Sequence, residues 1–504
     1  MLFESPELGA DCEGLAEPDF FRDLNLDQVF AAAVGKDEYR LAAFFRCPLS
    51  SESAVKYRQD AFRDLKGGGL LAPINAFADG MSRVRSHMTA SRQRRHAYEK
   101  ASWFLDAGNL YTVAVLALNG ALIDSDPRSQ AFQRCRGHVA AYTDSESFQS
   151  LLKETKRLKA AIAEVDYCVR VRGLRVTVTP YRSEPDYSAE VLETFSKFQQ
   201  GEVESRLLKF TPEFNNHIQE RIVELVARLY PDLFRDLVAY HHTYAHFLDP
   251  VIERFDREVQ FYVAYLRLLE PLKRASLGFC YPTVSSKSKQ VAANDTFDIA
   301  LAIKRVGEQQ PVVVNDFELK AGERIFVVSG PNQGGKTTFA RTFGQLHYLG
   351  RLGCLVPGTN ARLFLCDRIF SHFEKQEKVE DLHSKLEEEL LRIREMLREA
   401  TDRSIVIMNE SLASTTAEDA LLLGREVIGK LIELGPLGVY VTFIDELSRL
   451  DPSVVSIVST VVPENPAERT FKLLRRPADG RAYATSIAQK YGLTRRSIEE
   501  RVRR

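Results

Sequence analysis

Hydrophobic positions in the first 165 residues recur at helical spacing. After a polar opening, residues 20–62 carry apolar side chains three and four apart, interrupted at Cys47 and Pro48. Long helical patterns follow over residues 74–105 and 148–165. Residues 167–181 (YCVRVRGLRVTVTPY) change period: Val169 and Val171 alternate with Arg170 and Arg172, and beyond Gly173 Val176 and Val178 alternate with threonines. Period two on both sides of a glycine predicts a short hairpin. Helical spacing resumes near Ser188, with breaks expected at Pro212, Pro231 and Pro250. The last long amphipathic stretch, residues 251–269, is expected to end before Pro271.

Near Cys280 the pattern shifts to short apolar runs alternating with helices. Strands are expected at residues 312–319, 323–329, 405–408, 439–443, 454–462 and 471–475, with helices running to about Gly350 and to Leu434. This order predicts an α/β nucleotide domain behind a helical region. The expected division is 1–280 helical, 281–480 α/β, and 481–504 a terminal pair of short helices.

Composition narrows the class. A chain of 504 residues exceeds one core, so two to four domains are expected. With 44% hydrophobic and 27% charged residues it reads as soluble and globular. A net charge of −1 means that nucleic acid would have to be held by local basic patches. Seven scattered cysteines with no C-x-x-C pair argue against a zinc site or disulfide framework and for a reducing cytosol. The acidic N-terminus lacks a secretory pattern, and the longest apolar stretch, residues 110–123, is too short to span a bilayer. A cytoplasmic protein without a membrane partner is expected.

The strongest chemical signal is GPNQGGKT at residues 330–337, which matches G-x-x-x-x-G-K-[ST] between an apolar strand and a helix. Gly330, Gly334 and Gly335 let the backbone curl so that its N–H groups face phosphate oxygens. Lys336 supplies positive charge for the β- and γ-phosphates, Thr337 a hydroxyl for Mg²⁺, and the helix N-terminus a favourable dipole. The expected nucleotide-holding run is Gly330, Pro331, Asn332, Gln333, Gly334, Gly335, Lys336, Thr337 and Thr338, with ATP and Mg²⁺ as ligands.

P-loop enzymes also need a strand ending in acids that hold Mg²⁺ and orient water. The strand at residues 404–408 ends in Asn409 and Glu410. Glu410 is placed as general base, and Asn409 stands at the metal position, where an aspartate is usual. Losing one charge-assisted contact costs about 1.5–3 kcal/mol, so weakened hydrolysis with retained nucleotide binding is expected.

These residues resemble the MutS family of DNA mismatch-repair ATPases. GPNQGGKTTFAR at residues 330–341 is close to that family's P-loop, with its unusual Pro331 and Asn332. Asn315 and Asp316, the DRIF run at residues 367–370, SKLEEE at residues 384–389, and Asn409-Glu410 followed by Ser414, Thr415, Thr416 and Asp419 resemble its other segments. The resemblance is good over residues 310–450 and fainter over the helical part, which would be a core and lever region. It implies an ABC-type ATPase dimer, head to tail, in which Ser384 reaches the partner's γ-phosphate. Ser384 with Glu387 also forms an S-x-x-E capping box, and the two roles are compatible. The resemblance further implies DNA as partner, whether duplex, mismatched or branched, and a homodimer or a heterodimer with a MutS-like paralogue.

The chain departs from the family pattern at three places around the hydrolytic centre. These are Asn409, Phe443 where the family carries histidine after Thr442, and Leu412-Ala413-Ser414 where it carries Gly-Arg-Gly. No Phe-x-Glu wedge occurs, so mismatch reading by a separate N-terminal domain is not expected. Arg170, Arg172 and Arg175 on the hairpin are candidates for phosphate contacts or a solvated strand face; Arg83, Arg85, Arg92, Arg94 and Arg95 form a second charged helix face. The terminal helices could read a groove through Arg495, Arg496 and Arg501, or pack at a dimer interface through Ile487, Ala488, Leu493 and Ile498. The leading expectation is an ATP-switched DNA-binding dimer of repair or recombination with slow hydrolysis. The alternatives are a regulatory ATP-binding subunit and a mechanical ABC-type ATPase acting on protein or RNA.

Overall fold

A computed structural model describes residues 12, 14–67, 69–172, 175–182, 216–374, 385–412, 414–462 and 465–478. The expected helix-turn-helix at 481–504, and Ser384, lie outside the described residues. The chain divides into two compact units. One comprises Met1–Gly67, Arg128–Phe132 and Arg257–Arg504, the other Gly68–Pro127 and Gln133–Asp256.

The first unit is built on a six-stranded sheet. Its order is Ile369–Phe373, Ile405–Asn409, Leu437–Val441, Ile325–Ser329, Val454–Val462 and Asn465–Arg475, parallel except for the last pair. Ile325–Ser329, Ile405–Asn409 and Leu437–Val441 are buried along their whole length. Helices cover both faces, so these strands are continuous apolar runs rather than alternating ones. Val406 and Met408 point into a core completed by Ile393 and Met396 of helix Lys385–Glu399 and Val427 and Ile428 of helix Ala417–Leu434. On the other face Ile407 meets helix Lys336–Arg351 at Gly344, where a Cβ would lie 2.6 Å from the isoleucine Cδ1. A four-stranded sheet of Thr283–Ser285, Asn360–Phe364, Val291–Thr296 and Asn315–Leu319 and a two-stranded one of Phe279–Cys280 and Val356–Pro357 also belong to this unit.

The N-terminal segment belongs to this unit and not to the helical one. Phe20, Phe21 and Phe30 surround Tyr348, with ring centroids 5.5, 5.0 and 6.0 Å away. The Tyr348 hydroxyl donates to the Phe45 carbonyl at 2.8 Å, and the Gln345 side-chain amide donates to the Leu24 carbonyl at 2.8 Å. Arg58, fully buried, donates to the Leu352 carbonyl at 2.8 Å. Cys12 and Cys47 form a disulfide, contrary to the expectation from cysteine spacing. The two are brought together when the N-terminal segment folds back, a tertiary event with no local spacing signature.

Among its described residues the second unit is helical apart from its hairpin. Residues 74–105, expected as one helix, are broken: Leu71–Gln93 ends where Arg94 turns extended, and Ala97–Ser125 begins after an extended His96. The polar run through Arg94, Arg95 and His96 has no apolar residue to hold a continuous stripe, and it makes the corner of a helical pair. The apolar stretch at residues 110–123 is part of the 29-residue Ala97–Ser125, long and apolar enough by length and composition to cross a bilayer. Here it is a core helix, burying Phe104, Leu105, Tyr111, Val115, Leu118 and Leu122. Gly108 on this helix admits the Tyr240 hydroxyl, which hydrogen-bonds the Thr155 hydroxyl at 2.6 Å; a Cβ would stand 2.3 Å from that oxygen. Strands Tyr167–Arg172 and Arg175–Pro180 pair antiparallel, with Arg172 opposite Arg175 and Arg170 opposite Thr177.

The breaks expected at Pro231 and Pro250 are present, Pro212 lies outside the described residues, and the stop expected before Pro271 is not observed. Pro231 and Pro250 open helices Pro231–Thr243 and Pro250–Arg274, at first-turn positions where the missing N–H costs nothing. Helix Pro250–Arg274 continues through Pro271 for one more turn, closed by the Ala275 N–H on the Pro271 carbonyl and the Leu277 N–H on the Leu272 carbonyl. Burial of Leu269 and Leu272 on either side of the proline offsets the lost backbone bond.

Candidate nucleotide site

The P-loop joins strand Ile325–Ser329 to helix Lys336–Arg351, at the carboxyl ends of the parallel strands. Its curl uses positive φ at Gly330 (114°), Gln333 (58°) and Gly335 (95°). Strand Val454–Val462 runs directly beneath and requires glycine at Gly330, for a second reason, and at Gly334. A Cβ at Gly330 would lie 2.9 Å from the Ser459 carbonyl oxygen, and one at Gly334 2.0 Å from the Ser459 hydroxyl. The Gly334 N–H donates to the Pro331 carbonyl at 3.3 Å, closing the turn. Asn332 and Gln333 at the loop crest are exposed, and Thr337 and Thr338 are half-buried on the first helical turn.

Lys336 is 3% exposed. Its ammonium donates to the carbonyls of Gly330 at 3.0 Å and Pro331 at 3.3 Å, with the Asn332 side-chain oxygen at 3.5 Å. Glu410 lies 4.0 Å away. Burial pushes the Lys336 pKa down to about 8, Glu410 opposing and Arg469 reinforcing the shift. A compact cation held by a loop of carbonyls beside one carboxylate is suited to exchange those carbonyls for phosphate oxygens.

Asn409 ends its strand nearly buried, 8% exposed, and its side-chain oxygen has no hydrogen-bond partner. A buried carbonyl oxygen left unpaired costs about 1–3 kcal/mol unless a ligand or water takes it. Next to it Glu410 adopts a left-handed φ of 51° while its N–H bonds the Val441 carbonyl at 3.0 Å, so the carboxylate is aimed by a strained but anchored backbone. Oxygen donors of this kind, with the Thr337 hydroxyl, match the preference of Mg²⁺.

The strand expected at residues 439–443 runs instead from Leu437 to Val441, which places Thr442 and Phe443 in the turn that follows. The Thr442 N–H donates to the Val328 carbonyl at 3.0 Å, and its hydroxyl accepts the Ile444 N–H at 3.0 Å. Phe443 sets its ring 4.1 Å from the Lys336 ammonium.

Other residues singled out in the sequence lie elsewhere or do structural work. Asn315 donates to the Phe471 carbonyl at 3.1 Å and accepts the Leu473 N–H at 2.8 Å, tying the four-stranded sheet to the edge strand beside the P-loop. Asp367 sits at the opposite end of the sheet, accepting from Thr401 at 2.6 Å and Ser404 at 2.9 Å at the start of Ile405–Asn409. Ser414 donates to buried Glu389 at 2.8 Å, and Thr416 caps helix Ala417–Leu434. Two neighbours had no sequence signal. Arg469 donates to the Asn332 carbonyl at 3.1 Å, and buried His372 meets the Ser411 hydroxyl at 2.9 Å beside Glu410. Both arrive by strand pairing, which no local motif encodes.

The family model for MutS domain V matches residues 326–501. The DNA mismatch repair protein MutS of Halalkalibacterium halodurans is 27% identical over 227 residues, 42% of this chain and 26% of the relative. MutS of Desulfovibrio desulfuricans is 32% identical over 190 residues, 36% of this chain and 20% of its own length. Endonuclease MutS2 of Thermus thermophilus is 30% identical over 183 residues, 36% of this chain and 24% of its own length. The chain thus spans about a quarter of the length of the curated relatives it matches. Over residues 326–501, the stretch that carries the P-loop, Asn409 and Glu410, the chain matches MutS domain V.

Proposed function

We propose that this protein is an ATP-binding, DNA-binding member of the MutS family, acting as a nucleotide-switched dimer in mismatch repair or recombination. The observation that carries the nucleotide part is the buried Lys336 ammonium, held by P-loop carbonyls beside Glu410. In this reading the loop amides of residues 330–338 and Lys336 bind the phosphates, and Thr337 and Asn409 hold Mg²⁺ directly or through its water. The metal's part is to neutralise phosphate charge. Glu410 orients the attacking water, and its strained backbone fixes the direction of its carboxylate. Ser384 would complete the site of a second subunit, either an identical chain or a MutS-like paralogue.

The layout proposed is a helical core and lever region over 1–280, the ATPase over 281–480 and a terminal helix pair over 481–504, in a cytoplasmic protein. Duplex, mismatched or branched DNA would be met by Arg170, Arg172 and Arg175, which are exposed on the hairpin. Slow hydrolysis follows from Asn409, whose amide lacks the charge of a carboxylate. A second reading, a regulatory ATP-binding subunit working with a more active paralogue, is favoured by the same residue together with Phe443.

Two measurements test the proposal. Lys336→Ala should abolish ATP binding in titration calorimetry; unchanged affinity would remove Lys336 from the site. Fluorescence anisotropy on homoduplex, mismatched and four-way-junction DNA, with no nucleotide, ADP and ATP over a salt series, should show salt-sensitive, nucleotide-dependent binding. ATP binding with no DNA affinity in any state would leave the regulatory reading.

A further inference from the structure

We propose that a cleft in the helical unit, at the corner between helices Leu71–Gln93 and Ala97–Ser125, is a binding site for an unpaired nucleobase. The inference rests on the DNA-binding reading above and names a site and a DNA feature within it. The cleft has a volume of about 370 Å³, inside the range of small-ligand sites. Its walls are aromatic and aliphatic: Tyr98 and Trp103 of Ala97–Ser125, Phe234 and Leu237 of Pro231–Thr243, with Ile162 and Val223. The rings are already braced. Tyr98 meets Phe234 edge to face at 5.0 Å, and Trp103 is flanked by the His87 ring at 5.0 Å and the Arg94 guanidinium at 5.6 Å. Such walls suit an unstacked base, because every base offers a π face.

Charge at the mouth points to nucleic acid rather than a protein side chain as the occupant. Arg92, Arg94 and Arg95 crowd the corner, Arg92 and Arg95 exposed, and among the described residues none of the three is ion-paired. Neighbouring arginines are neutralised locally: Arg221 by Glu224, Arg235 by Asp232 and Arg157 by Asp236. Three uncompensated cations beside an aromatic cleft match a polyanion that carries bases. Glu99 and Ser102 also line the cleft, and their side chains have no hydrogen-bond partner among the described residues. An ionised carboxylate only accepts, so Glu99 suits the amino groups of adenine, cytosine and guanine better than the carbonyl edge of thymine. The cleft borders the surface already proposed for duplex DNA. Ile162 stands just ahead of strand Tyr167–Arg172, and helix Asn216–Leu229, which lends Val223, packs on strand Arg175–Pro180.

The test uses the full-length protein, whose single tryptophan is Trp103, so that its emission reports on the cleft alone. A fully paired duplex is compared with two in which the same sequence carries one extrahelical adenine or one extrahelical thymine. Anisotropy of labelled duplexes gives affinity, and Trp103 emission with unlabelled ones gives occupancy. The adenine duplex should bind about 5- to 150-fold tighter than the paired one and quench Trp103, which the paired one leaves unchanged. Adenine should exceed thymine by about 10-fold, a margin that Glu99→Gln removes. Phe234→Leu should bring both extrahelical duplexes toward the paired affinity without changing the latter. Circular dichroism and the paired-duplex affinity check that both variants are folded. Equal affinity for the three duplexes, or a preference that both variants leave intact, would overturn the proposal. Adenine and thymine duplexes bound alike would overturn the role of Glu99. Quenching of Trp103 by tryptophanamide, with none by any duplex that binds, would assign the cleft to a protein side chain and overturn the proposal as well. Absence of binding to all three duplexes would instead remove the DNA reading on which it rests.

Discussion

Replacing Gly334 by alanine adds one methyl group to the P-loop at a point where two neighbours stand close. The new Cβ would lie 2.0 Å from the Ser459 hydroxyl, 3.2 Å from the Ser459 Cβ and 2.9 Å from the Pro331 carbonyl oxygen. The two main clashes differ in kind. The Ser459 hydroxyl is the end of a side chain and has no hydrogen-bond partner to hold it, so rotation relieves part of the clash. The Pro331 carbonyl is backbone, closes the loop through the Gly334 N–H, and accepts from Lys336. It cannot retreat without carrying the loop amides and the ammonium with it. Overpacking of this size costs about 1–3 kcal/mol, and if the loop absorbs it ATP affinity should fall about 5- to 150-fold. Adding Ser459→Ala removes the cheaper clash and leaves the backbone one, so the double variant should recover part of the loss. Ser459→Ala alone should be nearly neutral, because its hydroxyl is already unpaired. Calorimetric titration of ATP into the three variants, with thermal unfolding alongside, reads this ladder. Wild-type ATP affinity in Gly334→Ala would refute the claim that the strand beneath the loop dictates glycine there.

Asn409→Asp should raise Mg²⁺-dependent ATP turnover about 10-fold or more, the gain expected from one charge-assisted contact. Unchanged steady-state phosphate release would show that another departure from the family pattern limits the rate. Asp256, 2% exposed with one oxygen unpaired and the other ion-paired with Arg85, has its pKa raised to about 6 by burial. A raised carboxyl pKa gives stability that is complete below about pH 4 and lost as pH rises through about 6, roughly 3 kcal/mol for a shift of this size. The stability difference between wild type and Asp256→Asn, from urea unfolding across that range, should therefore drift in favour of the asparagine as pH rises. A difference independent of pH would contradict it.

The strand, loop and helix of the candidate nucleotide site were legible because their pattern is local. Strand, glycine-rich turn, lysine and helix follow one another over about a dozen residues, and a buried parallel strand announces itself as an unbroken apolar run at 325–329 and 405–409. The hairpin at 167–180 was legible for a similar reason, since alternation of valine with arginine or threonine has no helical reading. What stayed hidden was settled by partners distant in sequence. Strand Ile369–Phe373 is short and mixed (IFSHF) and exists because Ile405–Asn409 pairs with it. Local rules make Pro271 a stop, yet burial of Leu269 and Leu272 carries the helix through it. Arg469, Phe443 and His372 gather around the P-loop only when the sheet has formed. Phe443 could be marked as a departure from the family, but its place over Lys336 could not be read from that.

The aromatic seat of Tyr348 has a bearing on how the chain is made. Leu24 and Gln345, whose backbone and side chain are hydrogen-bonded in the finished protein, are 321 positions apart. At about 5–20 residues per second, a ribosome needs roughly 15–60 s to go from one to the other. Throughout that interval Phe20, Phe21 and Phe30 are outside the tunnel without the surface that buries them, a natural client for a holdase. The same dependence sets the limits of dissection. A fragment starting at residue 281 would leave the phenol of Tyr348 and the amide of Gln345 facing solvent on an apolar scar. Such a fragment should be sticky even with every strand of its main sheet present, and supplying residues 14–67 in trans would be the natural remedy.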